Sequence, residues 1–390
     1  VIEGPNRSSL YYTISSWFEN PGIRFLLLKK FSNLFIVRIL ITGICGFVGF
    51  SIARYLREAA PDWTIFGIDN LSRPGSETNR LRLGKLGVGF LHGDVRSATD
   101  MMEMPPADFV IDAAANPSVL AGVDGKSSSR QIVEHNLHGT INILEFCKRH
   151  KAGFILLSTS RVYSIPLLAR LPLKTVGDRF TLNPAEPLPE GISEKGVAEI
   201  FSTATPVSLY GCTKLCSEAL ALEYGATFQF PVYINRCGVI AGAGQFGRAD
   251  QGIFSYWVHS WNCRKSLKYI GFGGQGLQVR DALHPLDVAT LVEKQLRAPN
   301  HTPVRVLNIS GGLSNSISLK ELSDWCAKRL GAHSVASDTA ERPFDIPWMI
   351  LDSSLAEKIW GWKPQRTLTQ MLDEIALHAE QNPEWLDWVA

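Results

Sequence analysis

Short, nearly unbroken apolar runs recur along this chain, at Ile36-Val37-Arg38-Ile39-Leu40-Ile41, Thr64-Ile65-Phe66-Gly67-Ile68, Val88-Gly89-Phe90-Leu91, Asp108-Phe109-Val110-Ile111-Asp112 and Phe154-Ile155-Leu156-Leu157. Their length and aliphatic, β-branched content predict buried strands. Between them, Ser51–Leu56 and Gln131–Phe146 space their apolar residues three and four apart, as an amphipathic helix does. Strand and helix in alternation predict an α/β fold, a doubly wound parallel sheet with helices on both faces. Ligands of such sheets lie at the carboxyl ends of the strands, so the residues just after each run are the ones to read for chemistry.

After the first run comes Gly43-x-x-Gly46-x-x-Gly49, at a strand-to-helix turn. Gly43 suits the tight turn, Gly46 lets backbone N–H groups approach phosphate oxygens, and Gly49 lets helix and strand pack closely, as at a dinucleotide's pyrophosphate. The second run ends in Asp69, 20 residues after Gly49, with Asn70 beside it. A carboxylate there can hold the adenine-ribose hydroxyls and repels a 2′-phosphate, which favours NAD over NADP, although Arg73 nearby could pair with that phosphate. Asp94, after the third run, could reach the adenine amino group or simply close an Asx turn. Ala113-Ala114-Ala115 leave room for a ribose after the fourth run, and the fifth opens into Ser158-Thr159-Ser160-Arg161. Farther on, Tyr210 and Lys214 stand four apart on a helical pattern continuing through Leu220. That places them on one face, where the ammonium is expected to draw the phenol pKa down from ~10 toward that of a general base.

Composition narrows the class. The chain has 390 residues, 45% of them hydrophobic, enough for one large domain and a smaller one. A net charge of +2 gives no reason to expect nucleic acid or a membrane as partner. Seven scattered cysteines without a Cys-x-x-Cys pair read as reduced thiols, with no metal site and a cytoplasmic location expected. Cys212 and Cys216 share a helical face and read as packing residues. No apolar run reaches the ~20 residues needed to span a bilayer. Residues 1–36 hold an aromatic-rich, amphipathic stretch, Arg24-Phe25-Leu26-Leu27-Leu28-Lys29-Lys30, and are expected to be an accessory extension of unknown role.

Taken together, Gly43/Gly46/Gly49, Asp69, Thr159, and Tyr210 with Lys214 resemble the extended short-chain dehydrogenase/reductase family, from about Arg38 to the C-terminus. The resemblance is reinforced by Asp69–Ser76, Asp250-Gln251-Gly252, Gln278-Val279-Arg280-Asp281 and Arg342-Pro343. It implies a Rossmann-type NAD-binding domain over residues 37–235, completed by about 279–296, and a smaller C-terminal α/β domain from 236–278 and 307–385 that binds a nucleotide-sugar. Cys45, Phe47, Val48, Asn70, Val95 and Lys214 would join Gly43, Gly46, Asp69, Asp94 and Ala113–Ala115 around NAD. Arg161, Gln245, Gln251, Arg280 and Arg342 would meet the substrate, the arginines Arg280 and Arg342 forking its diphosphate. The family also implies a homodimer through the helices carrying Tyr210 and Asn136–Phe146.

Three departures stand out: Asp112 replaces the family's usual histidine, Ser164 a glycine and Val239 an asparagine. The longer insert between Tyr163 and Tyr210 is expected to line the sugar side of the cleft. Dehydratases of the family carry Asp-Glu directly after the catalytic threonine, because elimination needs a further acid and base; here those positions are Ser160 and Arg161. What remains is epimerisation through a transient ketone, with C2 of a CDP-linked 3,6-dideoxyhexose the expected centre on resemblance. A 4-epimerase, a dehydrogenase or reductase, and a non-catalytic NAD-binding module are the alternatives.

Overall fold

The computed structural model describes residues 37–389 except 124, 126, 127 and 250, so the N-terminal extension and Asp250 lie outside the described residues. The apolar runs form strands where their spacing predicts them: Arg38–Thr42 (β1), Thr64–Asp69 (β2), Gly89–His92 (β3), Phe109–Asp112 (β4) and Gly153–Thr159 (β5). β4 and β5 are buried at every position, as strands covered on both faces must be. Two hairpins follow, Leu173–Val176 (β6) with Arg179–Leu182 (β7), and Ile192–Ser193 (β8) with Gly196–Val197 (β9). Then come Val232–Cys237 (β10), Val239–Ile240 (β11), Leu267–Ile270 (β12), Val279–Leu283 (β13), Val306–Ile309 (β14), Ser316–Ser318 (β15), Val335–Asp338 (β16) and Trp348–Met349 (β17).

Seven strands pair in the order β14-β10-β5-β4-β1-β2-β3, all parallel. Helices Phe47–Ala59, Pro285–Arg297 and Ser354–Trp360 bury Ile52, Leu56, Val288, Leu291 and Trp360 against one face. Helices Gly139–His150 and Ser208–Phe228 cover the other through Ile143, Leu144 and Ala221. The sheet order reverses between β1 and β4, which puts a crevice at the carboxyl ends of these strands. A smaller sheet, β11-β13-β15 with β17 on β13, and the parallel pair β12-β16 pack with helices Ile253–Asn262, Leu319–Leu330 and Leu368–Gln381 around Trp257, Trp261 and Leu372.

Two strands differ from expectation. Val306–Ile309, assigned by sequence to the smaller domain, is the seventh strand of the main sheet, and Val279–Leu283, expected to complete the main sheet, pairs within the smaller one. Both are short segments, VRDAL and VLNI, and nothing in so few residues says which sheet each joins. The helix Pro285–Arg297 does return to the main sheet. The predicted helix over 131–146 is interrupted by a π-helical turn at Glu134–His138.

Candidate active site

A cleft of about 760 Å³ opens along the carboxyl ends of β1, β2, β4 and β5. Its floor is the glycine turn. Gly43 has φ +64°, and a Cβ on Gly49 would lie 2.3 Å from the Gly43 carbonyl, so this approach of helix Phe47–Ala59 to the turn requires glycine at both. Asp69 lines the cleft but is already engaged, accepting from Cys45 N–H at 2.9 Å and Leu71 N–H at 2.8 Å. Burial holds its carboxyl pKa above the ordinary value, against those hydrogen bonds. Asp94 also lines the cleft, with its carboxylate paired to Arg96 at 2.6 Å and bonded by Asn70 Nδ2 at 3.0 Å. It closes the Asx turn too, accepting from Arg96 N–H at 2.9 Å. Arg96 and Asn70 outweigh desolvation and hold it well below the usual carboxylate range.

Of the predicted site residues, Gly43, Gly46, Phe47, Val48, Asn70, Val95, Ala113–Ala115, Thr159, Arg161, Tyr210, Gln245, Gln251, Arg280 and Arg342 all line this one cleft with Asp69 and Asp94. Two stand back from it. The Cys45 side chain is buried in the core under β1, and Lys214, 2% exposed, lies beneath the cleft rather than on its wall. No described residue between Tyr163 and Tyr210 lines the cleft, so the insert is not where the sequence placed it. It packs instead on the smaller sheet, where Arg179 bonds Ser316 Oγ at 2.5 Å and the Phe180 ring meets Phe272 edge-on.

Tyr210 and Lys214 both sit on the helix Ser208–Phe228, and Thr159, at the end of β5 on the same cleft, favours the charged form of the Tyr210 phenol. The phenol is not drawn down toward the range of a general base as expected. Burial pushes Tyr210 up to about 12, and Arg161 is the cation that opposes it. Desolvation lowers the Lys214 pKa, while Asp112 and Glu218 support its charge. Asp112, in place of the usual histidine, is buried and accepts from Thr42 Oγ1 at 2.7 Å, tying β4 to β1.

Sequence reasoning missed the scaffold around these groups. Glu218 grips Arg236 of β10 at 2.7 Å and accepts from Ser158 Oγ at 2.5 Å, which pins the helix Ser208–Phe228 to two strands. Asn136, in the π-helical turn, accepts from Asn116 N–H at 2.8 Å and donates to Thr213 Oγ1 at 3.1 Å, joining the loop after β4 to the same helix. At the far end of the cleft, Asp345 pairs with Arg280 at 3.1 Å, and Arg161 donates to the Phe344 carbonyl at 3.1 Å. Burial and the neighbouring Arg280 lower the Arg161 pKa to about 10, Asp345 opposing and Arg342 adding to the shift. Three guanidiniums against one carboxylate make an anion-binding end. The helical pattern at 131–146 hinted at Asn136; nothing local marked Glu218 or Asp345.

A model of the NAD dependent epimerase/dehydratase family matches residues 39–310. The chain belongs to this family. Among the relatives of this epimerase/dehydratase is CDP-paratose 2-epimerase of Salmonella typhi, 30% identical over 309 residues, which are 74% of this chain and 85% of the relative. UDP-glucuronate 4-epimerase of Thermodesulfobacterium geofontis is 23% identical over 356 residues, 88% and 97% of the two chains. The fold matches UDP-glucuronic acid 4-epimerase from Bacillus cereus in complex with UDP-glucuronic acid and NAD, at TM-score 0.70, 24% identity and 88% and 99% coverage. It also matches the dTDP-glucose 4,6-dehydratase DesIV double mutant from Streptomyces venezuelae with NAD bound, at 0.74, 23%, and 91% and 100%.

NAD is the cofactor of this epimerase/dehydratase. Its residues fit the group: the Gly43–Gly49 approach leaves no Cβ over the turn, and the buried Ser76 Oγ, in the lining of the same cleft, has no hydrogen-bond partner within the described residues. Among the described residues no cluster of three metal-ligating side chains occurs, and no helix is long and apolar enough to cross a membrane.

Proposed function

We propose that this chain inverts C2 of a CDP-linked 3,6-dideoxyhexose through a transient ketone, with no net oxidation. The observation that carries the reading is the turn after Thr159. Where elimination would need an acid and a base, this cleft holds a buried Ser160 and the Arg161 guanidinium, directed to Phe344 and the Arg280–Asp345 end. The likeness to CDP-paratose 2-epimerase supports the choice of sugar carbon and nucleotide. In this reading NAD supplies an acceptor that takes the carbon-bound hydrogen with its electron pair and returns it.

The chain's own residues handle the proton and the pose. Tyr210 takes the hydroxyl proton and gives it back, and Thr159, on the same cleft, shares a hydrogen bond with the same sugar oxygen. Arg161 favours the phenolate that burial disfavours, while Lys214, buried one helical turn away, would orient the nicotinamide ribose. Arg280 and Arg342 take the diphosphate, so the sugar end falls between Arg161 and Tyr210. The ketone then presents its other face to the same groups.

Two further assignments belong to this proposal. Val133, Ile141 and Cys216 leave an exposed, partly apolar strip along the helices at 129–150 and Ser208–Phe228, which suits a homodimer through those helices, testable by light scattering. All seven cysteines are free thiols, which suits a reducing cytoplasm.

The test supplies CDP-, UDP-, GDP- and dTDP-sugars separately and reads products by NMR. Inversion at C2 with a C2 deuterium kept in the product is expected. Inversion only at C4 would favour the 4-epimerase, stoichiometric NADH a dehydrogenase, and loss of water would remove the argument from Ser160 and Arg161.

A further inference from the structure

Arg73 follows Asp69 by four residues, in the segment leaving β2 on the cofactor side of the cleft. Its guanidinium reaches across to the other side. One terminal nitrogen donates to Gln251 Oε1 at 2.9 Å and the second to the Phe246 carbonyl. Phe246 and Gln251 follow β11 of the smaller sheet, so these two bonds join the halves of the molecule at the mouth of the cleft that all three residues line.

The far side of this crossing is braced. Gln245 Nε2 donates to the Ile240 carbonyl at 2.7 Å, Trp385 Nε1 to the Gln245 carbonyl at 2.9 Å, and Arg248 Nε to the Val389 carbonyl at 3.0 Å. The Phe246 ring stacks on Trp385 with centroids 5.7 Å apart, in a buried cluster with Leu386 and Val389 against which Phe47 of the glycine turn packs. On the near side Gly75 has φ +90°, and a Cβ there would lie 2.8 Å from Val389 and 3.0 Å from Phe246. The two halves therefore abut beside the place where Asp69 and the glycine turn receive the dinucleotide.

We propose that Arg73 is a positioning residue that fastens this strap across the cofactor half of the cleft and so sets the rates at which bound NAD leaves and returns. The inference rests on the epimerase reading in one respect: an epimerase regenerates its NAD in every cycle and needs no exchange. The bonds from Arg73 to Gln251 and Phe246 direct both terminal nitrogens away from a 2′-phosphate role, in keeping with NAD as the cofactor. A strap that must open for passage slows entry and exit alike, which separates it from a residue that merely touches the cofactor.

The test is the exchange of bound NAD for isotopically labelled NAD, read by mass spectrometry on the purified full chain without sugar, with association followed separately by stopped-flow fluorescence. Wild type should exchange slowly, and Arg73→Ala should speed both release and rebinding by roughly tenfold or more, the scale of losing a charged hydrogen bond. Arg73→Lys should fall between, because one ammonium cannot fork two acceptors as a guanidinium does. Gln251→Ala should speed both rates less, and should change little when added to Arg73→Ala because the bond is shared; it carries the test if Arg73→Ala fails to fold. Equal rates in wild type and the variants overturn the strap, and faster release without faster rebinding overturns it in favour of direct contact with the cofactor. Rapid exchange by wild type overturns it whatever the reaction proves to be, since the reaction is read separately from the sugar product.

Discussion

Gly211 follows Tyr210 on the helix Ser208–Phe228, and a Cβ there would lie 2.2 Å from the carbonyl oxygen of Arg161. The turn that carries Thr159 and Arg161 is thus seated directly on the helix that carries Tyr210. For Gly211→Ala two effects oppose each other. Alanine gains about 1 kcal/mol of helix propensity over glycine. Against that, the turn and the helix must part by roughly 1 Å to reach ordinary contact, and overpacking of this kind costs about 1–3 kcal/mol. The net is a destabilisation of up to about 2 kcal/mol, small because the two terms partly cancel. Turnover is the sharper reading, because a displacement near 1 Å between Thr159, Arg161 and the Tyr210 hydroxyl is expected to cost on the order of a hundredfold. Gly84→Ala is the control. That glycine lies on helix Glu77–Lys85 with nothing within 4 Å of its added Cβ, so there the propensity gain stands alone, up to about 1 kcal/mol of stabilisation with turnover unchanged. Urea unfolding at constant m, together with the NMR assay, reads both variants. If Gly211→Ala were as stabilising as Gly84→Ala and kept full turnover, the contact between Arg161 and the helix Ser208–Phe228 would have no part in activity.

Tyr210→Phe should retain NAD and fold but lose turnover by a factor on the order of a hundred or more, and full activity would remove Tyr210 from the mechanism. Arg280→Ala removes the partner of Asp345 and a fork for the diphosphate, and should weaken CDP binding by about 2 kcal/mol in isothermal titration. His259 is fully buried, against His378 at 3.2 Å, and burial lowers its pKa to about 3. The folded state keeps it neutral while the unfolded chain protonates it below ~6.5, so stability should fall as pH drops from 6.5 toward 3, by up to about 1.4 kcal/mol per unit. His259→Gln should flatten that slope in urea midpoints compared at pH 7 and pH 5, and an unchanged slope would show that other groups set it.

The features legible in the sequence were those written in neighbouring residues. A strand covered on both faces reads as an apolar run, a helix shows its period of 3.6, and the turn between β1 and the helix Phe47–Ala59 excludes side chains at Gly43 and Gly49. These set the α/β class, the cofactor and most of the cleft wall, because each depends on backbone sterics and burial within a few residues. The spacing of Tyr210 and Lys214 likewise placed both on one helix.

What only the tertiary structure decided was which groups face each other. β13 and β14 carry no local mark of the sheet each joins, and they went to different sheets because a strand's partner is chosen by the edge it meets. Burial pushes the phenol of Tyr210 up, and the groups that oppose it, Thr159 and Arg161, stand 51 and 49 residues earlier in the chain. Arg73, which by sequence alone could have paired with a 2′-phosphate, is bonded to Gln251, 178 positions along the chain. Glu218 found Arg236, and Arg280 found Asp345, with nothing in the neighbouring residues to mark either pairing. Electrostatic and hydrogen-bond energies depend on separation in space and on the water excluded between the groups, and sequence spacing carries that information only within a helix or strand.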